Sequence, residues 1–339
     1  STLGFERRDR ASEVEKLAID SQYHSIVTGD SRKAIEILEL WKQTYPNDER
    51  PANNLAVRYA PLGQFEKGLE EAQEALRRNP NNAFPRNAVA NAFFNLNRVD
   101  EAKTVIEKAI EDKLLLRGNV TRYQAAFVQG DVAGMQREVD AARGKTAERT
   151  MRAAEAAVAA FVGKFKLARE AVHEASEMAR RAGLKQNTAG VLAGQAGREA
   201  LVGNDAEARR LVAEALALDP SIDRQLSVAV TLALAGEAAQ AKRLLAAVVA
   251  QFPVSTQVQT VISPGVGAAI ELRSGAPDKA VEILRASVPY ERNNQLSIYL
   301  RGQAYLKAGS GKEAAAEFQK ILDEIDRVAP MLRRVIAAT

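Results

Sequence analysis

The sequence predicts an all-α fold: a right-handed α-solenoid of about nine helix-turn-helix repeats with a C-terminal capping helix. Three observations predict it. First, helix-ending residues recur at Gly29, Gly63, Gly130, Gly163, Gly203, Gly236, Gly275 and Gly309, with Asn97 filling the gap after Gly63. Gly and Asn both accept the left-handed backbone that closes a helix. The steps between them are 34, 34, 33, 33, 40, 33, 39 and 34 residues, and such a period means stacked repeats. Second, a small residue follows five positions after each marker: Ala34, Gly68, Ala102, Ala168, Ala208, Ala241, Ala280 and Ala314, with Met135 the exception. Four positions further lies a core site, occupied by Leu38, Ala72, Ile106, Val139, Val172, Val212, Leu245, Leu284 and Phe318. Third, 46% of residues are apolar but only 5% aromatic, a balance that suits close-packed, Ala-rich helices over a sheet core.

In chain order, residues 1–11 read as an irregular lead, 12–326 as repeats and 327–339 as a capping helix. The whole of 1–339 reads as one domain, because each helix pair is stable only against its neighbours. Ser12 to Gly29 forms the first helix. Its partner, Ser31 to Tyr45, holds the sole tryptophan, Trp41, as a core residue of the end unit. Glu49 to Asn82 is the clearest unit, with Ala52, Leu55, Ala56 and Tyr59, then Gly63, Phe65 and Gly68, then Ala72, Ala75 and Pro80. Pro61 should kink or shorten a first helix. Pro46, Pro80, Pro220 and Pro253 stop second helices and restrict the residue before them. Met135, in place of a small residue, predicts a looser fourth pair. The long step before Gly203 predicts an extended helix through Lys164 to Arg181 and a turn at Gly183. The long step before Gly275 predicts a loop or short turn over Val254 to Ser263, with the next helix starting near Pro264, since proline is tolerated in a first turn. Met331 to Ala338 reads as a solitary amphipathic helix covering the last pair.

This layout resembles the tetratricopeptide repeat from Ser12 to Asp326. Gln295 to Glu324 matches well, with Gly302, Tyr305, Gly309, Ala314 and Phe318 at the expected spacings. A narrower resemblance rests on Glu13-Val14-Glu15-Lys16-Leu17, Val27-Thr28-Gly29-Asp30, Tyr45-Pro46-Asn47-Asp48, Phe127-Val128-Gln129-Gly130-Asp131 and Ala314 to Leu322. These stretches resemble the repeat region C-terminal to the kinase domain in bacterial receptor-like serine/threonine kinases, notably acidobacterial ones. Relatives carry the same region behind a DNA-binding winged helix. The resemblance implies a non-enzymatic protein- or peptide-binding scaffold, the sensor or interaction module of a bacterial signalling protein. No glycine-rich loop with its lysine strand, His-Arg-Asp loop or Asp-Phe-Gly occurs, so no kinase residue carries over. The charged opening Ser1 to Arg10 has no apolar core for a signal peptide and suits a segment cut from a longer protein. The longest apolar run, Leu226 to Ala235, is about half of the ~20 residues that a span needs. A soluble segment is therefore expected, without membrane contact of its own. It is extracytoplasmic if attached to a receptor-like kinase; otherwise its side of the membrane is open.

Little in the sequence points to chemistry. With no cysteine, disulfides and thiolate metal sites are excluded. His24 and His173 are the only histidines, and the position four residues after His173 is Glu177, so no helical zinc pair forms. Gly144-Lys145-Thr146 lacks the earlier glycine of a phosphate loop, and Gly265-Val266-Gly267 lacks the third glycine of a dinucleotide loop. The latter pair suits close helix approach. Asp323, Glu324 and Asp326 read as a solvated last turn. The net charge is +4. The pairs Arg180-Arg181, Arg209-Arg210 and Arg333-Arg334 lie in different repeats with acids nearby and without interleaved aromatics, so nucleic acid is not the expected partner. A nucleic-acid- or transcription-linked regulator, or a free-standing adaptor, is the alternative. No cofactor or metal is expected.

What remains is the groove that the family's first helices line. The resemblance places Asn53, Asn87, Asn91, Phe94, Gln124 and Phe127 there. Amides pair with a peptide's N–H and C=O, and Phe offers an apolar pocket, as holding an extended segment requires. The family's carboxylate clamp is incomplete: Asn91 fits, but Thr121, Thr150 and Ala154 occupy the later positions.

Overall fold

The computed structural model describes residues 2–114 and 118–328. The expected capping helix lies outside them. Each marker glycine takes the left-handed backbone, with φ from 69° at Gly29 to 87° at Gly236, and Asn97 joins them at 60°. No strand occurs among the described residues.

A short helix, α1 (Thr2–Glu6), precedes the repeats, so the lead is not wholly irregular. Phe5 stacks on Tyr23 at 3.7 Å, which gives this turn an apolar anchor. Among the described residues nine pairs follow: α2 (Glu13–Gln22) with α3 (Ser31–Thr44), α4 (Arg50–Tyr59) with α5 (Phe65–Arg78), α6 (Ala83–Asn95) with α7 (Val99–Glu111), and α8 (Gly118–Gln129) with α9 (Val132–Ala142). They continue with α10 (Glu148–Phe161) and α11 (Phe165–Arg181), α12 (Lys185–Leu201) and α13 (Asp205–Leu218), α14 (Ile222–Leu234) and α15 (Ala238–Gln251), α16 (Ser263–Arg273) and α17 (Pro277–Leu284), and finally α18 (Gln295–Lys307) and α19 (Gly311–Val328). Ser12 and Glu15 form a capping box that starts α2. The Asp30 carboxylate accepts from the Lys33 N–H at 3.0 Å to start α3. Pro61 shortens α4 as expected, and a 3-10 turn over Ala60–Leu62 replaces its last turn. The long step before Gly203 holds two 17-residue helices, α11 and α12, joined at left-handed Gly183.

Small residues at the second marker let the helices of a pair touch. Ala34, Ala102, Ala168, Ala208, Ala241 and Ala280 are wholly buried. In the fourth pair the close approach moves one residue earlier. A Cβ on Gly134 would lie 3.2 Å from the Ala126 Cβ, and Met135, half-buried, packs beside the clusters of Tyr123 and Phe127. Gly265 and Gly267 allow close helix approach, since added Cβ atoms would meet Val230 at 3.4 Å and Ile283 at 3.3 Å. Two expected core sites, Leu245 and Phe318, are only half-buried.

The segment Val254 to Ser263 holds the expected short extra turn, and α16 begins at Ser263, beside Pro264, as expected. The turn starts near Thr256 and runs into α16 without a break. The Ser255 hydroxyl accepts from the Val258 N–H at 3.4 Å, which caps the early start. A π-helical turn over Val258–Ile262 then leads into Pro264. Proline has no N–H to donate, and a π turn is one way of re-routing the bonds ahead of it.

The chain forms two compact units. The first comprises Ser1–Leu116, Val249–Val261 and Ala286–Ser297; the second comprises Arg117–Val248, Ile262–Arg285 and Ile298–Thr339. In the first unit, Leu38, Trp41, Leu55 and Tyr59 make one core, and Ala56, Leu69, Val89 and Phe93 belong to another. Trp41 is buried as expected; its Nε1 donates to Asp48 at 3.1 Å, and Arg50 covers its ring. This unit also contains contacts that neighbour stacking alone does not produce. The Thr256 N–H donates to the Gly29 carbonyl at 3.1 Å. Arg32 donates to the Tyr290 hydroxyl at 2.7 Å. Arg292 donates to the Gly63 carbonyl at 3.1 Å and pairs with Glu66 at 2.8 and 2.9 Å. In the second unit, Leu192, Leu211, Val212, Val228, Leu232 and Val266 anchor the main core.

Candidate functional site

The residues expected in the groove fall into different settings. Asn53, on α4, has a buried Oδ1 with no hydrogen-bond partner. On α6, Asn91 is exposed and Asn87 half-buried. Phe94, half-buried, packs against the Val89–Phe93 cluster. Gln124, on α8, is exposed. Phe127 is buried and meets Phe161 edge-on at 5.8 Å. The first four belong to the first unit and the last two to the second.

Phe127 lines a cavity of about 410 Å³ within the second unit, bounded by side chains of α8 to α11. The cavity exists where the fourth pair lost its small residue, and the displaced Met135 forms part of its wall. Tyr123, Val158 and Val162 complete an apolar floor. Charged groups stand around it. Arg152 donates to Glu155 at 2.9 Å and lies 2.9 Å from Glu174. Glu170 and Lys164 also line it, so three carboxylates face two cations. Burial pushes the Glu155 carboxyl above its ordinary range, against the opposing pull of Arg152. Burial likewise pushes the Tyr123 phenol upward. The arrangement sets an apolar floor beside a group of carboxylates.

Reading the sequence for the inward faces of first helices names Phe127 but not α11, the second helix that supplies Glu170 and Glu174. One signal was present: two glutamates at i and i+4 repel on a helix, a cost that needs an offsetting reason.

The basic pairs carry their own acids. Arg180 pairs with Glu177 and Glu214, Arg210 with Glu207 and Glu214, and Arg209 with Glu237. Arg333 and Arg334 lie outside the described residues. Asp323 accepts from Gln319 at 2.7 Å, and the side chains of Glu324 and Asp326 are not among those described. No group of His, Asp and Glu side chains capable of holding a metal occurs among the described residues. No described helix is long and apolar enough to cross a membrane.

Residues 86–111, most of α6 with α7, match the tetratricopeptide repeat family. No curated protein matches the chain. Among solved structures it is similar to the Cut9–Hcn1 hetero-tetramer of the APC/C, at 14% identity and a TM-score of 0.41, covering 89% of this chain. It spans 57% of that chain's length. It is also similar to yeast Tom70, at 12% identity and a TM-score of 0.33, covering 93% of this chain and 85% of that one. The chain is an array of tetratricopeptide-like helix pairs, and the pair at residues 86–111 carries the family's sequence signature.

Proposed function

We propose that this chain is a non-enzymatic protein- or peptide-binding scaffold, and that the cavity between α8 and α11 receives an apolar side chain flanked by a basic residue of the partner. The observation that carries this reading is the pairing of an apolar floor at Phe127, Met135 and Val158 with the carboxylates Glu155, Glu170 and Glu174. Helical repeat proteins commonly bind through such surfaces. The test is a peptide array read by fluorescence polarisation. Peptides with a large apolar residue beside Lys or Arg should bind best. Met135→Arg should fill the cavity and weaken binding at least tenfold without changing the far-UV circular dichroism spectrum. Glu170→Gln should weaken basic peptides only. Equal binding of acidic and basic peptides would sink the reading.

The finer reading is an interaction module, a sensor or scaffold, of a bacterial serine/threonine kinase signalling protein. The stretches Glu13 to Leu17, Val27 to Asp30 and Phe127 to Asp131 support it by resemblance. Reading the gene upstream of Ser1 tests it. Kinase motifs followed by ~20 apolar residues would place this segment across the membrane from a kinase. A bare start codon would make it a free-standing adaptor.

A further inference from the structure

The first unit contains a second cavity, of about 360 Å³, unlike the one above. It lies where Val249–Val261 and Ala286–Ser297 meet the first two helix pairs. Its size falls at the small end of ligand pockets, about 300–1,000 Å³. Its lining carries no carboxylate, lysine or arginine. Nearby cations are engaged elsewhere: Arg32 donates to the Tyr290 hydroxyl, and Arg292 holds Glu66 and the Gly63 carbonyl.

The hydrogen-bonding groups that line it are hydroxyls and primary amides. The side chains of Ser31, Thr256, Gln257 and Asn293 find no hydrogen-bond partner among the described residues. A hydroxyl can donate one bond and accept two, and an amide offers both kinds. Pro61 and Tyr290 add apolar faces to the same cavity. Donors and acceptors without net charge, interleaved with apolar faces, match a ligand that repeats hydroxyl groups around a carbon ring. A charged ligand would find no counter-ion there and would lose hydration without compensation.

We propose that this cavity binds a neutral saccharide unit, and that the Arg292–Glu66 pair assembles it by holding the later segments against the early repeats. This goes beyond the peptide-binding reading and uses none of its residues. A free sugar and the end of a glycan share this chemistry. The amide of Asn293 and the hydroxyl of Thr256 come from segments 37 residues apart in sequence, and Ser31 from a third, so the site exists only while those segments are held together.

The experiment is saturation-transfer NMR on the full chain with methyl α-glucopyranoside, N-acetylglucosamine and maltose, and glucuronate as the charged control, each at millimolar concentration. A free chitin-type tetrasaccharide serves as the glycan arm. Transfer to at least one neutral sugar is expected, and its loss in Gln257→Ala/Asn293→Ala, whose two side chains are exposed, supports the site. A stronger tetrasaccharide signal assigns the source to a glycan end. Arg292→Ala should reduce affinity about tenfold, although Arg292 does not line the cavity. No transfer to any neutral sugar, or transfer unchanged in the double variant, overturns the proposal. A stronger signal from glucuronate than from the neutral sugars overturns the ligand class. Unchanged affinity in Arg292→Ala overturns the assembly role.

Discussion

Replacing Glu199 by Gln should destabilise the second unit in a pH-dependent way. Glu199 is wholly buried near the end of α12. Its Oε1 accepts from Arg169 Nε and Gln195 Nε2, each at 2.7 Å. Its Oε2 accepts from Arg169 Nη2 at 2.7 Å and Asn204 Nδ2 at 2.9 Å. One carboxylate thus joins α11, α12 and the turn into α13. The Arg169 bonds first, then those from Gln195 and Asn204, outweigh the desolvation cost and draw its pKa from 4.5 to about 2. A depressed folded-state pKa gives stability that is complete above the unfolded value and is lost as pH falls through the folded one. At 1.36 kcal/mol per unit, the contribution is about 3 kcal/mol at pH 7 and about 2 kcal/mol at pH 3.5. The Glu199→Gln amide presents an N–H₂ to groups that are themselves donors, so it forfeits most of this. The assay is urea unfolding followed by circular dichroism at 222 nm, because Trp41 lies in the other unit. Glu199→Gln should lower stability by about 3 kcal/mol at pH 7, and the gap to the parent should narrow by about a third at pH 3.5. A gap under ~0.5 kcal/mol at pH 7, the usual range for surface changes, or one that widens in acid, would refute the argument.

Other substitutions probe single contacts. Gly302→Ala would place a Cβ 2.6 Å from the Phe318 ring, and overpacking of this kind costs about 1–3 kcal/mol; a lower urea midpoint that Phe318→Leu partly restores is expected. Asn97 holds φ at 60° with a buried, unpaired Oδ1. Asn97→Gly relieves both and should stabilise the first unit by about 0.5–1 kcal/mol, read from Trp41 fluorescence during urea unfolding. Asn97→Ala should move the same midpoint the other way. Asn87→Ala/Asn91→Ala should leave melting unchanged; full retention of partner binding by that variant would remove both residues from the groove that the sequence leads one to expect.

The repeat markers were legible because each reports a local constraint. A left-handed helix end admits Gly or Asn at Gly29, Asn97 or Gly309 whatever lies around it. The close approach at Ala34 or Ala208 forbids a larger side chain. The candidate cavity was only partly legible. Met135 announced looser packing, and the structure turned that into a void by moving the close contact to Gly134. Phe94, half-buried, packs beside a core cluster of α6, a setting that periodicity alone does not distinguish from a groove.

The sequence by itself determined the helix pairs, their number and most of their ends, because turn chemistry and small-residue spacing act over a few residues. Tertiary structure decided which charged and polar groups meet. Arg169 finds Glu199, and Arg292 finds Glu66, across 30 and 226 residues, distances over which no local pattern survives. It also decided that Val254 to Ser263 takes up the extra turn and not the loop, because Ser255 caps that turn while Thr256 beside it is tied to Gly29. Backbone conformation answers to neighbours along the chain, whereas ion pairs and cavities answer to neighbours in space.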